Sequence, residues 1–288
     1  MKKFLLGMFA IGMAIFIGVG VSSCGDDEGG DQKDKNAFGS KIKRININGV
    51  EFNMILVEGG SFQMGATQEQ VLSGEKIDDF EFPVHKVTLS SYYLAETEVT
   101  NELYNAVMGT NNERLYHPVC GTWDSFYEFI QRLNEMSGKK FRFPTEAEWE
   151  FAARGGKKSQ GHVFSGSDIK DAVGWYYCNS GEGYLAEVNW NWWTMTGNGC
   201  DTHVVATRMP NELGFYDMSG NLYEWCSDWY ADYTKEDQVN PKGPETGYYK
   251  CCKGGSYAHF STEGRCSHRR GSPLDEEVYW GLRLAMDK

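Results

Sequence analysis

The second half of this chain lacks the periodicity of long helices or strands, and this limits the folds open to it. Beyond Gly155 the sequence predicts mostly loop, with short strands near 204–206, 222–229, 251–257 and 280–285. A loop region that long inside a compact domain usually needs a staple, a metal ion or a function. The 34 glycines and the aromatic content of 14% favour a core built from aromatic loops and tight turns.

The first half predicts three helices, and each has a recognisable start or stop signal. They are 101–108, capped by Thr100 and stopped at Gly109; a segment with Phe126, Phe129, Ile130 and Leu133 on one face that ends before Gly138; and a segment opened by the capping box Thr145–Glu148 and closed by Gly155. Before them, residues 54–65 and 86–99 predict strands around turns. The sequence therefore predicts an α+β domain with much irregular loop structure.

The N-terminus predicts an exported lipoprotein. Lys2 and Lys3 precede an uncharged apolar run over 4–21, and Val-Ser-Ser then leads to Cys24. This is the order of a secretory signal, and small residues before a cysteine favour acylation of that cysteine. The alternative is an uncleaved membrane anchor, because the run is long enough to span a bilayer. We expect a signal peptide over 1–23, lipidated Cys24 with a disordered tether over 24–44, and one domain over 45–288.

The charge of the chain narrows the classes of partner to be expected. The chain has a net charge of −12 and no basic block, so nucleic acid is not an expected partner. The acidic residues 26–28 resemble an export tag of surface lipoproteins, which predicts an outer-membrane lipid anchor, at the cell surface or on the periplasmic face.

Seven cysteines remain after Cys24, an odd number. Cys178 and Cys200 flank one loop and could staple it, but sequence alone leaves the connectivity open.

Six blocks in order resemble the formylglycine-generating enzyme, or sulfatase-modifying factor, family. They are SFQMG from 61, PVHKVTLSSYYLAETEVTNELY from 83, RFPTEAEWEFAARGG from 142, NELGFYDMSGNLYEWCSDW from 211, KGGSY from 253 and WGLRLA from 280. The resemblance covers about residues 52–286 and implies the C-type-lectin-like α+β fold of that family. It also implies the family's chemistry, in which copper held by two cysteines oxidises a sulfatase cysteine to formylglycine.

The cysteine pair of that resemblance is missing. In the family, the serine of GGSY is followed three residues later by the first catalytic cysteine and five further on by the second. Counting from Ser256 places His259 and Gly264 at these two positions. Thiolates suit Cu(I), whereas glycine offers no side-chain ligand. We therefore expect the domain to lack copper and the oxidase activity, although Ser256 is retained.

An altered metal site is the alternative. Cys266 and His268 are two residues apart, so in an extended segment they would share a face. Together with His259 they would form a Cys/His₂ set, which suits copper or zinc. This set would support an active oxidase with a different metal arrangement. The simpler interpretation is that Cys266 is a small core residue and that the histidines are polar surface groups.

The family resemblance also implies structural calcium. Its calcium-binding segment corresponds to DMSGNLYE, which places Asp217, Gly220, Leu222 and Glu224 as ligands. Calcium takes many oxygen ligands, and glycine lets the backbone curl around the ion. A second family site would begin at Asn179, but its later acidic half is not recognisable here.

The expected function is binding or scaffolding at the cell surface, with a protein or a glycan as ligand. A further alternative is a structural subunit of a secretion or motility complex. The segment NWNWW at 189–193 carries three indoles within four positions, which cannot all be buried comfortably. Part of this loop is therefore expected to form an exposed aromatic platform.

Overall fold

A computed structural model describes residues 41–72, 74, 77–188 and 190–288. The expected signal peptide, Cys24 and most of the tether lie outside these residues. The first strand begins at Ile42, so regular structure starts three residues before the expected domain boundary at 45. Within the described residues, no helix is long and apolar enough to cross a membrane.

The elements are short and are connected by long irregular segments. The α-helices are α1 Gln68–Leu72, α2 Asn101–Met108, α3 Trp123–Ser137, α4 Glu146–Ala153, α5 Lys170–Val173 and α6 Trp192–Gly197. The strands are β1 Ile42–Ile47, β2 Val50–Val57, β3 Gly60–Met64, β4 His85–Leu89, β5 Tyr92–Ala95, β6 Phe141–Arg142, β7 Tyr223–Trp229, β8 Gln238–Val239, β9 Lys250–Lys253, β10 Arg270–Ser272, β11 Trp280–Gly281 and β12 Ala285–Asp287. Short 3-10 helices span Asp79–Glu81, Gly156–Lys158 and Ser261–Gly264.

The strands form three sheets. A five-stranded sheet has the order β1-β2-β5-β12-β6, a four-stranded sheet the order β10-β9-β7-β11, and a three-stranded sheet the order β3-β4-β8. The pairs β7–β11 and β4–β8 are parallel, and the other pairs are antiparallel. Strand β12, near the end of the chain, inserts between β5 and β6 from the first half. The two halves therefore fold as one α+β unit.

The three predicted helices are confirmed, and local capping accounts for their boundaries. The hydroxyls of Thr100, Thr122 and Thr145 each accept a hydrogen bond from the backbone N–H three residues on. Gly109 and Gly138 adopt the left-handed conformation that ends a helix (φ 74° and 65°). The apolar face of α3 lies in a core cluster with Trp225 of β7 and residues of β12 and α2. Local sequence signals sufficed here because each contact lies within four residues.

Two predicted strands in the second half are wrong or too long. Residues 204–206 form a turn, in which Ala206 has a positive φ of 59°. The segment 251–257 is a strand only as far as Lys253, since Gly254 and Gly255 then take left-handed conformations. Val204 is exposed, whereas Tyr257 packs against Tyr279 in the loop before β11, so apolar residues alone are a poor guide to strands here.

Four buried ion pairs join distant parts of the chain, and three of them connect the irregular second half to the first half. The sequence did not predict them. Each joins a glutamate to a lysine or arginine at least 59 positions away, with both side chains almost fully buried. They are Glu150–Lys253, Glu81–Arg265, Glu146–Arg269 and Glu224–Arg283. Buried charges need partners of this kind, because an unpaired one carries a large desolvation penalty.

Candidate functional site

A double-glycine turn after β9 brings Ser256 next to Gly264. Gly255 has φ +70°, and a Cβ there would lie 2.9 Å from the backbone of Glu263 and Gly264. Only glycine therefore allows the turn to pack against the 3-10 helix Ser261–Gly264. As a result, Ser256 and Gly264 line the same small cavity of about 10 Å³. This is about the space that one water molecule needs.

Ser256 and His259 form a hydrogen-bonded pair beside this cavity. The Ser256 Oγ and His259 Nδ1 atoms are 2.6 Å apart, and Ser256 is buried. The His259 ring packs edge-on against Tyr223 at 5.2 Å and against Tyr279 at 5.3 Å, measured between ring centroids. Burial, helped by the charge of Arg270, lowers the pKa of His259 to about 3. The imidazole is therefore neutral at physiological pH.

This site does not fit the copper centre of the oxidase. His259 offers one imidazole, and one of its nitrogens is already engaged by Ser256. Gly264 offers no side-chain ligand, and no cysteine lines the small cavity. Soft thiolates are the ligands that match Cu(I). The residues at this site can hold a proton and a hydrogen-bond network, but they provide no bis-thiolate site.

The side chains of Cys266, His259 and His268 do not converge on one site in the structure. Residues 265–268 form a turn, closed by the His268 N–H donating to the Arg265 carbonyl at 3.1 Å, so the extended segment assumed from the sequence is wrong. Cys266 is fully buried in the core cluster that contains Trp149 of α4. Neither histidine is a surface group, since His268 is buried and His259 is partly buried. Among the described residues, no group of three or more His, Cys, Asp or Glu side chains could hold a metal ion.

The 217–224 turn offers part of the expected calcium site. Asp217 is buried, and its Oδ1 atom has no hydrogen-bond partner within the described part of the chain. Its Oδ2 atom accepts a hydrogen bond from the Ala206 N–H at 2.7 Å. Burial raises the pKa of Asp217 to about 6. A buried carboxylate oxygen without a partner fits a cation ligand.

Glu224 does not fit the same role. Its carboxylate accepts hydrogen bonds from Arg283 at 2.6 to 3.1 Å and from the Trp149 indole N–H at 2.5 Å. Both oxygens are therefore already engaged. A nearby acid that the sequence analysis missed is Glu98, which accepts from the Asn221 amide at 2.7 Å and the Leu222 N–H at 3.0 Å. Burial, and then the charges of Asp217 and Glu224, raise the pKa of Glu98 well above its usual value.

Asn179 holds a turn together and has little left for a metal. Its Oδ1 atom accepts from the Tyr176 N–H at 2.8 Å, and its Nδ2 atom donates to the Gly174 carbonyl at 3.0 Å and to Asp171 at 3.2 Å. The side chain is thus engaged at both ends. The weak second calcium site receives no support from this geometry.

The tryptophan-rich loop contacts residues 258–261, the segment that contains His259. The Trp190 indole N–H donates to the Ala258 carbonyl at 2.6 Å, next to His259. Glu187 accepts from the backbone N–H of Ser261 at 2.5 Å and from its hydroxyl at 2.6 Å. These contacts hold the loop around 187–190 against the segment 258–261. The sequence predicted the aromatic platform but gave no signal for its position, because the partners lie about 70 positions away.

We define the tryptophan surface as Tyr184, Val188, Trp190, Trp192 and Trp193. Trp193 is 80% exposed, and Trp190 and Trp192 are almost half exposed. Asn191 caps the short helix α6 by accepting from the Thr194 N–H, so the indoles of this helix have a defined backbone. The expected exposed aromatic platform is confirmed. Exposed apolar side chains in such a group mark an interaction site more often than isolated ones do.

Known proteins share this domain. Residues 46–288 match the family described as "Sulfatase-modifying factor enzyme 1-like domain". "Chaperone protein LppX" of Paenibacillus barcinonensis is 32% identical over 250 residues, which cover 72% of this chain and 79% of that protein. The formylglycine-generating enzyme of Streptomyces coelicolor is 39% identical over 178 residues, which cover 59% of this chain and 53% of the enzyme.

Longer and structurally similar proteins also match. "Serine/threonine-protein kinase pkn1" of Chlamydia pneumoniae is 31% identical over 81% of this chain, but the chain spans only 37% of its length. The solved structure "Treponema denticola variable protein 1" has a TM-score of 0.71 and 26% identity. That similarity covers 86% of this chain and 99% of the Treponema protein. The same fold therefore occurs in proteins with different names and lengths.

Proposed function

Because the chain belongs to the sulfatase-modifying factor family yet has His259 and Gly264 at the two copper-ligand positions, we propose that it binds a partner protein and does not act as a copper oxidase. The observation that carries this proposal is the cavity beside Ser256, which no cysteine lines. Without the thiol pair, what remains is a stable domain that presents long, well-anchored loops. Its lipid anchor would hold that domain at a membrane surface.

The tryptophan surface supports the binding role. Tryptophan and tyrosine are enriched among the residues that contribute most to protein–protein binding. The hydrogen bonds from Trp190 to Ala258 and from Ser261 to Glu187 order the loop before any partner arrives. Preordering lowers the entropy cost of association. A relative named as a chaperone is consistent with a binding function.

Replacing Trp192 and Trp193 by alanine should remove binding without unfolding the domain, since both side chains are at least 47% exposed. We expect retention of the partner on the immobilised protein to fall at least tenfold, because losing two exposed anchors of this kind costs about 2 kcal/mol or more. The measurement is quantitative mass spectrometry of envelope proteins from the source cells retained by each variant. Tyr248→Ala is the control, as Tyr248 is 91% exposed on the 240–249 loop. Equal retention of envelope proteins by the wild type, the double tryptophan variant and Tyr248→Ala would contradict the proposal.

We further propose that the 217–224 turn binds structural calcium through Asp217 and main-chain oxygens, as the family resemblance implies for Gly220 and Leu222. The unpartnered Oδ1 atom of Asp217 motivates this assignment. Three buried carboxyl groups, those of Glu98, Asp217 and Glu224, lie near one guanidinium, Arg283. An added cation would offset the excess negative charge of these carboxyl groups. Calcium would supply two positive charges without redox chemistry.

Calcium should raise the melting temperature of the wild-type domain, and Asp217→Ala should abolish this response. Ligand at a hundred times its dissociation constant stabilises a native state by about 2.7 kcal/mol. For a domain of this size, that corresponds to roughly 5–10 °C. Glu224→Gln is the matched comparison: it should destabilise the domain with or without calcium, because it weakens the pair with Arg283. An Asp217→Ala protein with the wild-type calcium response would disprove the assignment.

The proposed localisation depends on Cys24. If Cys24 carries the lipid, labelled palmitate should enter the wild-type chain but not a Cys24→Ser variant. The expected loss of label is complete, because the thiol is the only acceptor in this prediction. Cys120→Ser serves as a control, since Cys120 lies inside the domain and should leave labelling unchanged. Label retained by the Cys24→Ser protein would rule out the anchor.

A further inference from the structure

Two buried cysteines lie next to each other across β7 and β9. In this antiparallel pair, Trp225 is opposite Cys252. Cys226 and Cys251 are the next residues along the two strands, at the point where the register begins to shift. Alternation of side chains along a strand places Cys226 and Cys251 together on the other face of the sheet. Their packing agrees, because both belong to the core cluster of α4, whereas Cys252 belongs to the cluster of α3.

The position suits a covalent link. Directly opposed residues in an antiparallel pair have Cα atoms about 4.5–5.5 Å apart. Disulfides bridge Cα atoms about 4.4–6.8 Å apart. Both residues are free, completely buried cysteines in this structure. Burial raises the pKa of both thiols, and each thiol lies near enough to influence the pKa of the other. Cys226 lies at the start of the irregular stretch between Trp225 and Trp229, where the strand register shifts, so the backbone there can adjust locally.

The neighbouring cysteine gives an internal comparison. Cys252 accepts a hydrogen bond from the Trp280 indole N–H at 3.2 Å and donates to the Arg270 carbonyl at 3.3 Å. It therefore points away from Cys226 although it is adjacent to Cys251 in sequence. The pairing suggested by the sequence, Cys178 with Cys200, has less support, since neither residue lies on a strand that would hold the two side chains on one face.

We propose that Cys226 and Cys251 form a disulfide when the chain folds in an oxidising compartment. Two S–H bonds break and one S–S bond forms, and the two electrons and two protons pass to a disulfide oxidant of the thiol-exchange class, which leaves as two thiols. Because both sulfurs are buried in the folded domain, this exchange must occur before β7 and β9 close. The link would tie the ends of the irregular segment between the two strands. It rests on export of the chain and not on the proposed binding function.

The test compares protein made in an oxidising and in a reducing compartment, together with the latter refolded in reduced and oxidised glutathione. Unfolding without reductant, alkylation and peptide mass spectrometry should reveal a peptide containing residues 226 and 251 joined by a disulfide in the oxidised samples. Wild-type protein that has been unfolded and refolded in a reductant should melt about 5–12 °C lower than the oxidised protein, as expected for a loop of this length. The Cys226→Ala/Cys251→Ala protein should show no such response.

The matched control is Cys252→Ala, which should keep both the linked peptide and the reductant response. The joined peptide read directly from wild-type protein does not depend on whether any variant folds. Full alkylation of Cys226 and Cys251 in both oxidised samples would overturn the proposal. A link from Cys251 to any cysteine other than Cys226 would overturn it equally. Neither outcome would affect partner binding at the tryptophan surface.

Discussion

Replacing Arg265 by methionine will lower the free energy of unfolding by about 3–5 kcal/mol, the usual result of breaking a buried ion pair on one side. Arg265 and Glu81 are both fully buried and share two hydrogen bonds of 2.5 and 2.7 Å. Ser267 donates to the same carboxylate at 2.6 Å. Removing the guanidinium leaves a buried carboxylate without its cation. The melting temperature should fall by roughly 10 °C or more.

Two comparison proteins make this result specific. Arg132→Met removes a surface pair with Glu128 on α3 and should cost at most about 0.5 kcal/mol. The double variant Glu81→Leu/Arg265→Met should recover much of the lost stability, because replacing both partners by apolar groups is often close to neutral. Denaturant unfolding measures all three. A single variant as stable as Arg132→Met would show that the pair does not stabilise the fold.

The sequence predicted the local parts of this fold and missed the long-range ones. Thr100 and Thr145 determine where their helices begin through bonds to residues three positions away, so the sequence contains the whole signal. The insertion of β12 beside β5 pairs residues that lie about 190 positions apart, and only the family resemblance could suggest it. The same holds for Lys253, whose partner Glu150 lies on a helix 103 positions earlier.

At the candidate site, the residues that occupy each position were easier to predict than the arrangement of their side chains. Counting from Ser256 identified His259 and Gly264, because a fixed spacing needs no coordinates. Cys266 and His268 were assumed to lie on an extended segment, but the turn at 265–268 separates them. This turn follows from the burial of Arg265, which no local pattern indicates. The exposure of Trp193 was predictable from the density of indoles, whereas the contact of the neighbouring Trp190 with Ala258 was not.

Loss of copper chemistry is the second prediction with a large expected effect. The wild-type domain should convert a Cys-x-Pro-x-Arg peptide at least a hundredfold more slowly than the Streptomyces coelicolor enzyme under the same conditions. The reason is that neither His259 nor Gly264 supplies a thiolate, and Cys266 is buried in a different core cluster. An imidazole that is already bonded to Ser256 does not replace two soft ligands.

The fold allows the thiol pair to be restored. A Cβ added at Gly264 would have its nearest neighbour, the Gly254 carbonyl oxygen, at 3.6 Å, which is ordinary van der Waals contact. His259→Cys/Gly264→Cys should therefore fold and place both sulfurs beside Ser256. We expect this double variant to gain Cu(I) binding of about one equivalent, whereas the wild type binds none at this site. Gly264→Ser, which adds a side chain without sulfur, is the control for steric effects.

The most direct test is mass spectrometry of the Cys-x-Pro-x-Arg peptide after incubation with copper-loaded wild-type protein, oxygen and a reductant. The predicted result is an unchanged peptide mass, no different from the sample without protein, while the Streptomyces coelicolor enzyme converts the same peptide. The contradicting result is loss of the thiol with formation of an aldehyde by the wild-type protein, abolished by Cys266→Ala or His259→Ala. That outcome would establish an active oxidase with an altered metal site.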